Sequence, residues 1–281
     1  MLNKKFIRPI IELALEEDIG KEDITTSAIF DDSLKGTGYF LCKEDGILAG
    51  IEIIEYLIRN YTRLRFSNSK NDGEMIKSGE TFAIVEGDVR EILTYERIML
   101  NFLQRMSGIA TLTNQFVKRV EGTKAKILDT RKTIPGWRYL EKIAVKIGGG
   151  ENHRFGLYDM FLIKDNHIEA AGGIKQAIEK CIEFRNRLHP NYQIEVEVKN
   201  LEELQIALKY DIERIMLDNF EINEIREAVK LTNGKVALEV SGGVNFNNVK
   251  EIAKTGVDYI SVGALTHSAK ALDISLEVSL I

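Results

Sequence analysis

The pattern of apolar and polar positions changes rhythm near residue 125. Before that point it is mixed. In "FIRPIIELALEEDIG" the apolar residues Ile7, Ile10, Ile11, Leu13 and Ala14 fall near helical spacing, which predicts a short amphipathic helix. Strand-like runs broken by turns come next. "GYFLCKEDGILAGI" predicts a hairpin with Asp45-Gly46 as its tight turn. "DGEMIKSGETFAIVEGDVREIL" alternates and is punctuated by Gly73, Gly79 and Gly87. From Tyr95 the pattern turns helical over "YERIMLNFLQRMSGIATLTNQFVKRV", where Ser107-Gly108 predicts a kink or a split.

Beyond residue 125, short apolar strands alternate with helical patterns. "KILDT", "MFLIKD", "QIEVEV", "RIMLDN", "VALEVSGG" and "YISVGAL" place strand starts near residues 126, 160, 193, 214, 236 and 259. Asn200 with Glu203 resembles a capping box before "LEELQIALKY". In "GGVNFNNVKEIAKTG", Asn245 is the expected N-cap and Gly256 the stop. Strand, helix and strand repeated in this way predict a parallel sheet. A complete eightfold barrel takes roughly 200 to 250 residues. Only about 140 are available here, so the expected fold is α/β, an incomplete, open α/β barrel of six or seven parallel strands.

Composition narrows the function classes. The 281 residues suffice for one large barrel or two modest domains, and 44% hydrophobic with 29% charged residues is ordinary for a soluble protein. With 43 Asp and Glu against 38 Lys and Arg, the net charge of -5 argues against a general nucleic-acid binder. No run of about 18 apolar residues predicts a transmembrane helix. The first residues soon turn acidic and lack a small-residue cleavage site, so they do not read as a secretion signal. Cys42 and Cys181 stand far apart without metal-ligand spacing, which fits a reducing cytoplasm and no disulfide framework.

Against that acidic background, Arg131, Lys132, His153, Arg154, Lys164 and His167 fall within about forty residues. Either they form one solvated basic face, or a ligand with several negative charges sits among them. The way the strands stop bears on the choice. They end in Asp129-Thr130-Arg131-Lys132, in Lys164-Asp165-Asn166, near Glu197, in Asp218-Asn219, in Ser241-Gly242-Gly243 and in Gly263. In a βα barrel those ends form one rim, where active sites lie. Period-two geometry puts Glu195 and Glu197 on one side of their strand, and Arg214 and Asp218 on one side of theirs. Glu195 with Arg214 is a candidate structural ion pair. Glu197 and Asp218 read as groups that meet a cation or sugar hydroxyls, and an oxygen-rich magnesium site fits them. No two histidines have ligand spacing. The glycine turns at 241–243 and 263 suit a phosphate cradle, with the helix after Gly243 pointing its N-terminus at the rim. Lys142 and Lys146, four apart on a helix, read as a solvated face, while Arg138 stays open. Gly148, Gly149 and Gly150 either end that helix or form a loop that folds over the mouth. The implied ligand carries a phosphate at one end and carboxylates at the basic end.

The runs "ERIMLNFLQRMSGIAT", "DTRKTIPGWRYLEKIAVKIGGGENHRFGLYDMFLIKDNHI", "EVEV", "IMLDNF", "EVSGG" and "SVGALTHSA" resemble the quinolinate phosphoribosyltransferases, also called nicotinate-nucleotide pyrophosphorylases (carboxylating), over nearly the whole chain in order. Glu22 stands where that family usually has Gly. The resemblance implies an N-terminal α+β open sandwich domain over residues 1–111, with the tail 268–281 packed on it, and a catalytic open barrel over 112–267. It implies a homodimer, or a hexamer, with shared active sites. It implies transfer of a phosphoribosyl group from phosphoribosyl pyrophosphate to quinolinate with Mg2+, giving nicotinate mononucleotide, pyrophosphate and CO2 in NAD synthesis. By the same resemblance, Arg97 reaches the quinolinate carboxylates across the dimer, and Arg131, His153 and Arg154 hold them from within the subunit. Lys132 and Lys164 meet the pyrophosphate and the reacting centre, and Glu197 and Asp218 bind ribose hydroxyls and magnesium. Ser241, Gly242, Gly263 and His267 receive the 5-phosphate. Two rivals remain: a Schiff-base aldolase with Lys164 as nucleophile, and a non-catalytic phosphosugar-binding module.

Overall fold

In a computed structural model covering residues 3–30 and 33–281, the first helix α1 (Lys4–Asp18) starts at Asn3, whose side chain accepts the Lys5 N–H. Its apolar stripe is narrower than the sequence suggests: Ile7 and Ile11 are buried, but Leu13 is 67% exposed. Asp23 caps α2 (Ile24–Ile29) by accepting the Thr26 N–H at 3.0 Å. Strand β1 (Lys35–Cys42) leads to β2 (Gly46–Ile47), α3 (Ile51–Tyr61), β3 (Arg65–Asn68), β4 (Met75–Ile76) and β5 (Thr81–Asp88).

The expected hairpin at Asp45-Gly46 does not form. β2 pairs with β4 rather than β1, and the Asp45 carboxylate accepts the Ser78 N–H at 2.9 Å. The strands on either side of Asp45 thus belong to different sheets, which a local turn signal cannot reveal. The long helix α4 (Val89–Arg119) begins six residues before the expected Tyr95, because Val89 and Ile92 already bury at i, i+3 spacing. It is also unbroken at Ser107-Gly108. A side chain at Gly108 would put its Cβ 2.0 Å from the Lys270 carbonyl oxygen, so the glycine permits a close chain approach and not a bend. Ser107 Oγ accepts the Ala49 N–H at 2.9 Å and donates to the Ala49 carbonyl at 3.1 Å.

The chain then gives β6 (Lys126–Leu128), α5 (Arg138–Ile147), β7 (Phe161–Ile163), α6 (Asp165–Ala171), α7 (Ile174–Leu188), β8 (Ile194–Val198), α8 (Leu201–Ala207) and β9 (Arg214–Asp218). It continues through α9 (Ile222–Thr232), β10 (Ala237–Ser241), α10 (Val249–Lys254), β11 (Tyr259–Ser261), α11 (Ala264–His267) and β12 (Ile274–Leu280). The six strands β6 to β11 form one parallel sheet in the order β6-β11-β10-β9-β8-β7, so β6 and β7 are its edges. Beside β6 only a single residue, Glu151, makes a parallel bridge where a seventh strand would run. The barrel is therefore open, with six strands, and their starts fall within about a residue of the sequence expectation. Every residue of β8 is buried, as expected for a parallel strand covered on both faces. Its apolar residues Ile194, Val196 and Val198 alternate with two carboxylates.

Asn200 caps α8 by accepting the Glu203 N–H. Asn245 is not the N-cap of α10, a place taken by Asn248. Its side chain instead accepts the Asn247 and Asn248 N–H groups at 3.0 and 3.3 Å, capping the preceding turn. The helix thus starts six residues after Gly243 and has only six residues, too short and too late to aim a dipole from the glycine turn.

The chain folds into two compact units: Met1–Asn114 with Thr133–Gly149 and Leu265–Ile281, and Gln115–Lys132 with Gly150–Ala264. In the first, β12 runs antiparallel to β1 in a sheet of order β12-β1-β5-β3, and Phe40 packs on Phe66 and Phe82 with centroids 6.2 and 6.1 Å away. The segment Thr133–Gly149, with helix α5, falls in this unit and not with the parallel sheet. On α5 the solvated-face reading holds for Lys146, which is exposed, but fails for Lys142, which is 2% exposed. Leu140, Glu141, Ala144 and Val145 are buried with it, so this helix buries a wider face than its charges suggest.

Candidate functional site

Because β6 to β11 are parallel, their C-terminal ends all lie at one edge of the sheet in the second unit. That edge brings together Arg131, Lys132, Lys164, Glu197, Asp218, Ser241, Gly242 and Gly263. His153 and Arg154 join it from the loop beyond Glu151, whose backbone bridges β6. Arg97, exposed on α4, and His267, exposed at the end of α11, belong to the first unit.

The loop of His153 and Arg154 is anchored by carboxylates. Asp129, fully buried, accepts the His153 N–H at 2.9 Å. The Asp159 carboxylate accepts the Phe155 and Gly156 N–H groups at 2.6 and 2.9 Å. Arg154 is 9% exposed, donates from Nη1 to the Met160 carbonyl at 3.2 Å, and leaves its Nε without a hydrogen-bond partner. Burial and the nearby positive charge of Arg131 both push its pKa down, against the pull of Glu195 and Asp159. A buried guanidinium held beside a second one, with an unmet donor, is costly unless an anion completes it. A planar guanidinium fork suits a carboxylate.

Beneath this loop lies a network that the sequence did not reveal. His153 accepts the Arg154 N–H on Nδ1 at 2.7 Å, so its proton sits on Nε2. Nε2 faces Glu195 at 2.9 Å and Glu239 at 3.6 Å. The structural partner of Arg214 is Glu239, at 2.8 Å, rather than the expected Glu195. The guanidinium also lies 4.1 Å from the centre of the Tyr259 ring. The correction has a simple origin. Arg214 pairs in register with both Glu195 on β8 and Ala237 on β10, and it turns toward β10, where Ser261 Oγ also donates to Glu239 at 2.5 Å. Among the described residues, His153, Glu195 and Glu239 are the three whose ligand atoms come within 4.8 Å of one another. The Arg214 cation and the Ser261 hydroxyl already occupy Glu239, while both buried Glu195 oxygens lack a hydrogen-bond partner.

Burial pushes both Glu195 and Glu239 up, to about 7, and the charge of Glu195 adds to the effect on Glu239. An unfolded glutamate releases its proton near 4.5. Between that value and about 7 the unfolded chain therefore holds fewer protons than the folded one, and the stability contributed here falls as pH rises. Denaturant titrations across that window are expected to show a shallower decline for Glu239→Gln than for the parent protein. An unchanged slope would detach the effect from this residue.

At the centre of the rim, Lys164 Nζ lies 2.5 Å from Glu197 Oε2. The Lys164 N–H is accepted by His167 Nδ1 at 3.0 Å, which places His167 as a local brace at the start of α6. Asp218 ends the next strand. Burial and then the negative charge of Glu197 push its carboxyl up, while an N–H from Asn219 at 2.9 Å pulls it down. A cleft of about 190 Å3 lined by Asp165, Glu197, Lys199 and Glu203 opens here. A larger cavity of about 880 Å3 lies in the first unit around Asp23, Arg63 and Asp88 and includes none of the predicted groups.

Asn219, which carried no role in the sequence reading, adopts φ +57 and donates its N–H to the Ser241 carbonyl at 2.9 Å. Gly242 follows at φ +87, and a Cβ there would stand 2.2 Å from Asn219 Oδ1. Only glycine lets the β9 and β10 turns approach this closely. The Gly243 carbonyl accepts from Asn245 and Asn248 side chains at 3.2 and 3.0 Å, which fixes the turn with its backbone exposed. His267 Nδ1 lies 2.6 Å from Ser268 Oγ.

Comparison with known proteins identifies the family. Residues 109–277 match the model of the quinolinate phosphoribosyl transferase C-terminal domain, and residues 23–107 match that of its N-terminal domain. The chain is 43% identical to quinolinate phosphoribosyltransferase [decarboxylating] 1b of Nicotiana tabacum, over 97% of this chain and 82% of that one. It is 41% identical to the probable nicotinate-nucleotide pyrophosphorylase [carboxylating] of Bacillus subtilis, over 99% and 96%. The structure of the nicotinate-nucleotide pyrophosphorylase from Francisella tularensis superposes with a TM-score of 0.94 at 42% identity, covering 99% of this chain and 98% of that one. NadC from Streptococcus pyogenes gives 0.94 at 37%, covering 100% and 99%. The chain belongs to the quinolinate phosphoribosyltransferase family.

Proposed function

We infer that this rim carries out the family reaction, joining quinolinate to phosphoribosyl pyrophosphate with loss of CO2, and that its residues divide the work by charge. The observation that carries the assignment is Arg154, a buried guanidinium beside Arg131 with an unmet donor. Family membership makes the protein a decarboxylating pentosyltransferase of NAD biosynthesis.

In this reading Arg131 and Arg154 hold the quinolinate dianion. His153, whose ring nitrogens face the Arg154 N–H and the two buried carboxylates, supports Arg154 from below. Arg97 supplies a further guanidinium from a second subunit of a homodimer, and its exposure on α4 suits that part. Lys132 and Lys164 meet the diphosphate of the donor. The backbone around Ser241, Gly242 and Gly263, with His267, receives the 5-phosphate. As pyrophosphate leaves, the anomeric carbon becomes positively charged, and Glu197 and Asp218 stabilise it. The pyridine nitrogen attacks from the opposite face and forms the C–N bond. The ring is then a pyridinium, which stabilises the electron pair left on the ring carbon as the adjacent carboxylate departs as CO2, and that carbon then takes a proton from water to form its C–H bond. At an effective dielectric of 20, a charge pair at about 4 Å is worth about 4 kcal/mol, so a few local contacts suffice to bind anions to a protein of net charge -5.

Magnesium fits Glu197 and Asp218. The raised Asp218 carboxyl reflects, beside its burial, a neighbouring negative charge that a cation would relieve, and two rim carboxylates with water and substrate oxygens are an ordinary Mg2+ donor set. Bound there, the ion would neutralise the leaving diphosphate. Free Cys42 and Cys181 suit a reducing, cytoplasmic setting. No described helix is long and apolar enough to cross a membrane.

The test is labelled CO2 release from quinolinate carrying label in the carboxyl beside the ring nitrogen. Release is expected only when phosphoribosyl pyrophosphate is present, and chelation of magnesium is expected to stop it. Release without the donor, or equal consumption of a pyridine monoacid, would overturn the assignment.

A further inference from the structure

Two elements of the first unit are joined by a guanidinium that the proposed reaction does not use. Arg105 on α4 donates from Nε to Glu141 Oε1 at 3.1 Å and from Nη1 to the Ala269 carbonyl at 3.0 Å. Its Nη2 donates to Glu141 Oε1 and to the Thr266 carbonyl. Glu141, with no exposed side-chain surface, uses its other oxygen, Oε2, to accept the Ile134 N–H at 3.1 Å. One ion pair therefore ties down the backbone at residues 134, 266 and 269.

The position of those backbone groups along the chain gives the pair its meaning. Ile134 comes two residues after Lys132, and Thr266 three residues after Gly263. The strands that lead to Lys132 and Gly263 are β6 and β11, which are neighbours in register through Ser261 and Leu128. The two segments leaving those adjacent strand ends are thus bound to the same side-chain pair. In the proposed reaction, both strand ends meet the ribosyl donor. Lys132 is exposed, so its reach depends on how the chain beyond it is held.

We propose that Arg105 and Glu141 are positioning residues for phosphoribosyl transfer: they fix the chain on the far sides of Lys132 and Gly263, and so set where the donor's phosphates sit. The inference rests on the assignment of Lys132 and Gly263 to the donor. The planar fork is what this role needs, since it serves two carbonyls and a carboxylate at once. Lysine offers a single point charge in its place. Of the groups assigned to quinolinate, Arg154 and the His153 beneath it ride on a loop anchored at Asp129 and Asp159, outside the clamp, and only Arg131 adjoins the clamped chain at Lys132.

The experiment compares Arg105→Lys and Glu141→Gln with the parent and with Lys132→Ala, in the full-length protein. Thermal unfolding, KM for phosphoribosyl pyrophosphate, quinolinate binding without donor, and kcat are measured for each. Arg105→Lys keeps the charge, and Glu141→Gln keeps an acceptor for the Ile134 N–H, so at least one of them is expected to fold. In the folded variants the donor KM is expected to rise about tenfold or more and kcat to fall, since a displacement of about 1 Å from a distant change can cost about a hundredfold. Quinolinate binding is expected to change less than the donor KM, as only Arg131 among its groups adjoins the clamped chain. Addition of a guanidinium salt to Arg105→Ala is expected to restore part of kcat. Folded variants with unchanged donor KM and kcat would overturn the proposal. So would equal losses for both substrates that track a lowered unfolding temperature, since those would mark the pair as purely structural. If Lys132→Ala leaves the donor KM unchanged while Arg105→Lys raises it, the Lys132 assignment falls, and the clamp stands through Gly263.

Discussion

Arg154→Ala is expected to raise the KM for quinolinate by at least about a hundredfold, because a hydrogen bond to a charged group is worth about 1.5 to 3 kcal/mol and two such bonds are at stake. It is also expected to leave stability unchanged or slightly higher. That second expectation distinguishes a binding arginine from a structural one. The Arg154 guanidinium is buried, sits near Arg131, and has one protein acceptor for its Nη1 and none for its Nε. Removing it relieves a desolvated cation. Arg185, buried to a similar degree, supplies the contrast. It donates to Glu213 at 3.0 Å and lies 3.8 Å from Asp211, and its loss should lower stability while sparing quinolinate binding. Calorimetric titration with quinolinate, together with denaturant unfolding, reads both quantities. An Arg154→Ala protein that binds quinolinate normally would take this residue out of the site.

The contrast between these two arginines also shows where the sequence was legible and where it was not. Strand ends could be read because short apolar runs with period-two alternation stop at charged or glycine residues, and the parallel sheet then gathers those stops without further information. Arg131, Lys132, Lys164, Glu197, Asp218 and the glycine turn at 241–243 were placed at one edge of the sheet in this way. What stayed hidden depends on which of two neighbours a side chain turns toward. Arg214 has a carboxylate on either side across the sheet, and only three-dimensional packing selects Glu239 over Glu195. Glu239 itself carried a usable signal, since it lies two residues before Ser241 on the same face of β10. Lys142 was misread because helical spacing reports which residues share a face, not whether that face is covered. Asp45-Gly46 was misread for a related reason: a turn signal names a reversal of the chain, and the strands it joins here pair elsewhere. Gly108 and Ser107 looked like a flaw in a helix. They are the place where the strand-bearing tail and the chain at Ala49 approach it closely.

Glu197→Gln is expected to lower kcat by about a hundredfold to a thousandfold with little change in quinolinate binding, the range seen when one preorganised charge-stabilising group is removed. Glu197 is 7% exposed and touches Lys164 Nζ at 2.5 Å, so the substitution removes a charge that faces the lysine and, in the proposed reaction, the reacting centre. The neutral amide is nearly isosteric and can still accept from Lys164, which keeps the rim in place. The same contact bears on the aldolase alternative. A Schiff base needs the lysine nitrogen to attack a carbonyl carbon with its lone pair, whereas here that nitrogen is already engaged by a carboxylate. Borohydride with a carbonyl substrate is therefore expected to leave the parent enzyme active. If Glu197→Gln instead kept full kcat, and borohydride inactivated the enzyme only when a carbonyl compound was present, Lys164 would have to be reassigned as a nucleophile. The carboxylate beside it would then be a base that frees its nitrogen, and not a group that stabilises a sugar cation.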